Sequence, residues 1–258
     1  MKVLVVYSCL KYPMRKTMES FISSFEKYLN CEVQAVNIIL RFVPLYLQLQ
    51  KFDVVIVTHS ASVPWSRKTY DRKKIVLEKI CSLGRKKVVF FQDEYFNTDL
   101  FEDLVESIGF DYVYSVAPKS EWSKIYPNSD HTIMKQCLTV YIDENDVRCY
   151  GESVKKRDVD IGYRTAEFGQ GMYKLGFLGK LKSEIGERFL SVKSDLNIDI
   201  SIGENFLEGS SWFDFLQNCR FTLGVESGAS ILDRSGQIAM RLAERGESGT
   251  LETFEEFL

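Results

Sequence analysis

A histidine, two adjacent carboxylates, an arginine and a turn of small residues are the groups in this chain whose types and positions suit chemistry. His59 stands in Thr58-His59-Ser60, directly after the apolar run Val54-Val55-Ile56-Val57. An imidazole titrates near neutral pH, so it can take a hydroxyl proton there or face a developing charge. Asp93 and Glu94 follow Val88-Val89-Phe90-Phe91-Gln92, where an unbroken apolar run turns polar. One of these carboxylates can act as a general base. Neighbouring strand residues point to opposite faces, so a strand running through both cannot turn them to one substrate. Arg164 follows the expected strand 159–163, and its guanidinium can grip a diphosphate with two parallel hydrogen bonds. In Glu226-Ser227-Gly228-Ala229-Ser230, Gly228 permits a left-handed turn. Backbone N–H groups there, with Ser227 and Ser230 beside them, can form an anion nest before a helix.

Each group has a plainer use. His59 can make a structural hydrogen bond, and Asp93 with Glu94 can be a polar loop that caps the next helix. Arg164 can hold the acidic run 143–146, the glycine turn can be an ordinary loop, and Asp233 can brace it. His131 reads as a cap or surface residue.

The positioning elements follow from periodicity. Residues 2–7, 52–58 and 88–91 are expected strands, since continuous apolar runs between turn signals fit strands buried on both faces, and 32–37, 110–115 and 136–142 are further expected extended segments. Helices are expected at 18–29 with Thr17 as N-cap, at 44–49, at 71–83 closed by Gly84, from Asp99 to 108 with a capping box to Glu102, and at 121–126. The alternation predicts βαβ units and a parallel sheet over residues 1–142. In such sheets ligands bind beyond the carboxyl ends of the strands. Residues 143–158 are charged and poor in apolar side chains, and read as a linker. A second unit, 159–258, repeats the pattern: strand 159–163, loop 164–173, helix 175–190, strand 196–202, a helix capped by Ser210 or Ser211, strand 221–225 and a helix near 236–245. The fold class expected is α/β, with two Rossmann-like, doubly wound parallel-sheet domains. Three strands leave the second incomplete, as if the chain were cut short or its sheet covered by a partner protein.

Composition narrows the function. A net charge of -3 without a long basic run argues against a general nucleic-acid binder. The six cysteines include no pair at zinc-ligand spacing, and scattered free cysteines fit a reducing, cytoplasmic setting. No apolar run reaches transmembrane length, which leaves peripheral membrane association open. Gly169-Gln170-Gly171 lacks the full dinucleotide fingerprint, and Ser8-Cys9-Leu10 is not glycine-rich, so no cofactor and no metal are expected.

Three segments of the second unit, residues 159–164, 197–201 with 212–216, and 222–233, resemble bacterial glycosyltransferases of the GT-B type, related to the group 1 transferases of polysaccharide biosynthesis. Residues 91–95 and 138–143 are similar to first-domain segments of that family, and the likeness spans most of 53–236. It implies transfer of a sugar from a nucleotide-sugar donor, held by the second domain, to a saccharide acceptor held by the first, commonly without metal. His59, Asp93 and Glu94 would then be catalytic, with Arg164, Glu226, Ser227, Gly228 and Ser230 near the donor phosphates. The chain departs from the family in lacking its later donor-binding segments. The other function that fits is a non-catalytic binding or scaffolding module with a transferase-derived fold. Trp65, Tyr70 and Trp122 offer faces on which a sugar ring could stack, whereas Trp212, in an apolar helical face, reads as core.

Overall fold

The computed structural model describes residues 1–258 except 11, 65–66, 139–140, 151–155, 167–175, 194, 206, 208, 226–231, 239 and 242–258. The chain divides into two compact units, residues 1–142 with 232–235, and residues 143–231 with 236–258.

The first unit holds a six-stranded parallel sheet. Its strands are β1 (Lys2–Tyr7), β2 (Glu32–Asn37), β3 (Phe52–Val57), β4 (Gly84–Phe90), β5 (Tyr112–Ser115) and β6 (Met134–Gln136), in the order β2-β1-β3-β4-β5-β6. Helix α1 (Lys16–Tyr28) covers one face, packing Ile22 against Val3, Val5 and Ile56. The other face carries the larger core beneath α2 (Leu45–Gln48), α3 (His59–Ser62), α4 (Arg67–Cys81), α5 (Thr98–Ile108) and α6 (Trp122–Ile125). Helices on both faces bury most of β1 and β3, which is why their apolar runs read as unalternating Val, Leu and Ile.

The second unit holds α7 (Glu144–Tyr150), β7 (Val159–Thr165), α8 (Gly176–Ser191), β8 (Ile198–Ile202), α9 (Ser211–Asn218) and β9 (Cys219–Thr222). Its parallel sheet runs β8-β7-β9. Ile200 and Ile202 lie against Gly186 of α8, while Gly162 of β7 faces α9. A side chain at Gly162 would come within 2.2 Å of Cys219 Sγ and 2.8 Å of Phe215, so this close approach requires glycine. Both units are therefore doubly wound and Rossmann-like, the second with the smaller sheet.

Several local expectations change. Helix α1 begins before Thr17, with Arg15 as N-cap accepting from Met18 and Glu19 N–H. Gly84 opens β4 instead of closing α4, because the β3 ladder extends to it: Phe52 pairs with Gly84, and a Cβ there would meet Val55 at 2.6 Å. The capping box on α5 does not form. Asn97, in the left-handed region, is the N-cap without a side-chain cap bond, and Glu102 is 4% exposed with other partners. The sixth strand is Met134–Gln136, ahead of the expected 136–142. The charged stretch after 142 contains α7, because Asp143 accepts from Asn145 N–H at 2.8 Å and the helix has acids in its first turn and Arg148 in its last. Ser210, with helical backbone angles, makes no side-chain cap bond to α9. The ninth strand is Cys219–Thr222, earlier than the expected 221–225. Trp212 is 38% exposed and not core.

Candidate functional site

The carboxyl edge of the first sheet is where sequence and topology converge. The chain leaves β1 toward β2 on one side and leaves β3 toward β4 on the other, so the order reverses between β1 and β3. In open parallel sheets such a switch point, beyond the carboxyl ends of the strands, is where ligands bind.

Hydrogen bonds organise the loops at this edge. Thr58 is fully buried and donates from both its N–H (2.9 Å) and its hydroxyl (3.0 Å) to Val6 O. Ser60 Oγ accepts from Ser8 N–H at 3.1 Å and lies 3.0 Å from Thr58 Oγ1. The loops after β1 and β3 are thereby tied. On the other side Asn37, the last residue of β2, accepts from Cys9 N–H at 3.1 Å and donates to Cys9 O at 2.7 Å. Asn37 also donates to Tyr12 OH at 3.1 Å, and that hydroxyl is 3.1 Å from Tyr7 OH. Burial and the neighbouring Tyr12 push the Tyr7 phenol up to about 12, so it stays protonated at neutral pH.

His59 is the first residue of α3, half-buried, with its ring 5.8 Å from the ring of Phe21. Burial holds its pKa below the ordinary value, because a charged imidazole loses hydration there. The ring is therefore neutral at pH 7 and able to accept a proton.

Asp93 and Glu94 part company at the end of β4. Asp93 has φ of 60°, in the left-handed region, which turns the chain and leaves its side chain half-exposed. Glu94 is 5% exposed and accepts from Ser115 hydroxyl at 2.6 Å, Val116 N–H at 2.9 Å and Tyr126 hydroxyl. Burial raises its pKa despite those three donors. Glu94 thus pins the loops after β4 and β5 together, and of the pair only Asp93 is left partly exposed.

Arg164 lies within β7, not in a loop, since Arg164 pairs with Ser201 and Thr165 with Ile202. Its guanidinium bonds both carboxylate oxygens of Asp199 at 2.8 Å, bonds Asp199 O at 2.9 Å, and sits 4.2 Å over the Phe215 ring. Its partner is a β8 residue and not the acidic run at 143–146. Glu226, Ser227, Gly228 and Ser230 lie outside the described residues. Asp233 is buried and braces the first unit: its N–H donates to Tyr95 O at 2.7 Å and its carbonyl accepts from Asn97 N–H at 2.7 Å. The next residue, Arg234, bonds Glu102 at 2.8 Å and the carbonyls of Lys124 and Ile125.

Of the stacking candidates, Tyr70 is buried with its hydroxyl on Asp103, and Trp122 is buried with its indole N–H on Ala117 O. Trp65 lies outside the described residues. His131 donates from Nε2–H to Tyr126 O at 2.7 Å, a structural contact. Sequence reasoning missed Ser8, Asn37 and Ser60, which tie the loops at this edge. The available signal was a polar residue at the end of each of three adjacent strands. Among the described residues no group of three or more His, Cys, Asp or Glu could hold a metal ion, and no helix is long and apolar enough to cross a membrane. The chain matches no family model and no curated protein, so what places it is its architecture: two parallel-sheet, Rossmann-like units of the kind that nucleotide-binding enzymes commonly use.

Proposed function

We propose that this chain transfers a sugar from a nucleotide-sugar donor to a saccharide or lipid-linked acceptor. The first unit binds the acceptor and the second the donor. The observation that carries the reading is His59, a neutral imidazole set beside the β1/β3 switch point of the first sheet. His59 takes the proton of an acceptor hydroxyl as that oxygen bonds to the anomeric carbon. The bond from that carbon to the nucleoside diphosphate breaks, and the diphosphate leaves with the electron pair. Asp93, partly exposed after the end of the adjacent strand, orients the hydroxyl or the imidazole. Glu94 supports Asp93 by holding the loop. The turn at Glu226, Ser227, Gly228 and Ser230 is the proposed seat of the donor phosphates. Arg164, with its guanidinium on Asp199, supports that end of the second sheet by joining β7 to β8.

The alternative, a binding or scaffolding module, is favoured by one observation: Arg164, the described member of the donor set, already has its carboxylate partner. Calorimetric titration with UDP, GDP and CMP, and with one sugar conjugate of each, separates the two. Micromolar binding supports the transferase. No binding to any of them supports the module. In a transfer assay His59→Ala and Asp93→Ala should each lower the rate at least about tenfold without unfolding the protein. Unchanged rates in both remove the assignment.

A further inference from the structure

The first unit carries a second feature, on the flank formed by residues 40–49 and α4. Leu47 is fully buried and anchors the short helix α2. Around it Leu40, Phe42, Leu45, Tyr46 and Leu49 stand out, Leu45 at 79% and Leu49 at 89% exposure. Five large apolar side chains on ten residues exceed the scatter of single exposed apolar residues found on ordinary surfaces. Beside them opens a cavity of 920 Å³, walled by this segment and by one stripe of α4. Its cations are Arg41, Arg72 and Lys79, its apolar wall includes Phe42 and Ile75, and no acidic residue is among its described lining. The acids of α4 nearest in sequence, Asp71 and Glu78, are not in that lining. Nor is any of the three cations ion-paired among the described residues. Lys73, on the same helix but outside that lining, is pushed down to about 8 chiefly by burial, with a smaller contribution from the charge of Arg41. The chain as a whole carries -3, so this concentration of positive charge is local.

We propose that residues 40–49 and the adjoining face of α4 form a docking surface for an anionic lipid bilayer. The apolar side chains enter the headgroup region, and Arg41, Arg72 and Lys79 hold a phosphate-bearing headgroup in the cavity. An amphipathic surface with cations beside its apolar residues binds such a membrane by burying apolar area and by attraction to anionic lipid. The inference is independent of sugar transfer.

Vesicle flotation of the full chain tests it. The protein floats with phosphatidylcholine vesicles containing about 30 mol% phosphatidylglycerol and stays behind with phosphatidylcholine alone. Arg72→Ala with Lys79→Ala lowers vesicle affinity about 30-fold, as expected for losing two cations near an anionic surface. Leu45→Ser with Leu49→Ser lowers it as well, at unchanged circular dichroism. All four side chains are exposed, so folding is not at stake. No flotation, equal flotation with neutral vesicles, or unaltered binding of both variants overturns the proposal. So does full displacement by millimolar glycerol phosphate with no effect of the leucine changes, which would make the cavity a site for a soluble anion.

Discussion

The two sheets differ in how their strands are paid in burial. In the first unit β1 has four consecutive buried residues and β3 ends on three, with cores on both faces. In the second, β8 is half-buried along its whole length, and β7 has Val159, Gly162 and Tyr163 as its buried residues. The same βαβ construction thus yields a wide sheet with an inaccessible centre and a narrow one whose middle strand alone is flanked on both sides. Stability in the first unit should depend on buried polar ties and apolar volume, and in the second on the fit of one helix.

That contrast can be broken at three places, taken from the largest expected effect downward. Replacing Glu94 by Ala removes the acceptor of the buried Ser115 and Tyr126 hydroxyls and of Val116 N–H. The loss is about 3 kcal/mol. Urea unfolding with hydrogen exchange should show it in peptides of β4 and β5 while β7–β9 keep their protection. Equal loss in both sets would mean that the units unfold as one. Gly162→Ala should cost the second unit about 2 kcal/mol, since Cys219 and Phe215 must give way to the new methyl. Undiminished protection of β7 and α9 would show the second unit loose enough to absorb it.

The smallest effect concerns pH. His59 has a folded pKa below its unfolded value of 6.5. Its contribution to stability is complete above 6.5 and is lost as the pH falls from there through the folded value, because the unfolded chain binds the proton first. Comparing the pH dependence of unfolding for the native protein and His59→Asn isolates this slope. A difference above 6.5 instead of below it would contradict a buried neutral imidazole. The base role predicts an acid limb in the rate over the same low range.

Much of the fold was legible because burial on both faces leaves a plain mark. Val54–Val57 and Val88–Phe91 read as strands without ambiguity, and their order of alternation with helices gave a parallel sheet. Boundaries were less legible where tertiary pairing overrides local signals. Gly84 looks like a helix stop and is a strand start, because Phe52 pairs with it. Asp99 and Glu102 have the spacing of a capping box, yet Glu102 belongs to the buried side of α5. Only the distant Asn128 and Arg234 explain its charge there. The candidate site divides in the same way. That His59 follows a buried strand is plain in the sequence, whereas the separation of Asp93 from Glu94 comes from one left-handed residue that pattern does not reveal. Arg164 was visible as a cation at a strand, and its partner Asp199 was not, since pairing of β7 with β8 brings them together from 35 residues apart.

The return of residues 232–235 to the first unit bears on the order in which the protein is completed during synthesis. Glu102 is buried before its cation exists on the ribosome: Arg234 is 132 positions further along the chain. Until then the N-terminal unit can condense around its sheet, but α5 holds a carboxylate with Asn128 as partner and no counter-charge. A nascent chain stopped short of Arg234 would therefore carry a first unit that is built but not locked. Release of the second half would supply the bolt.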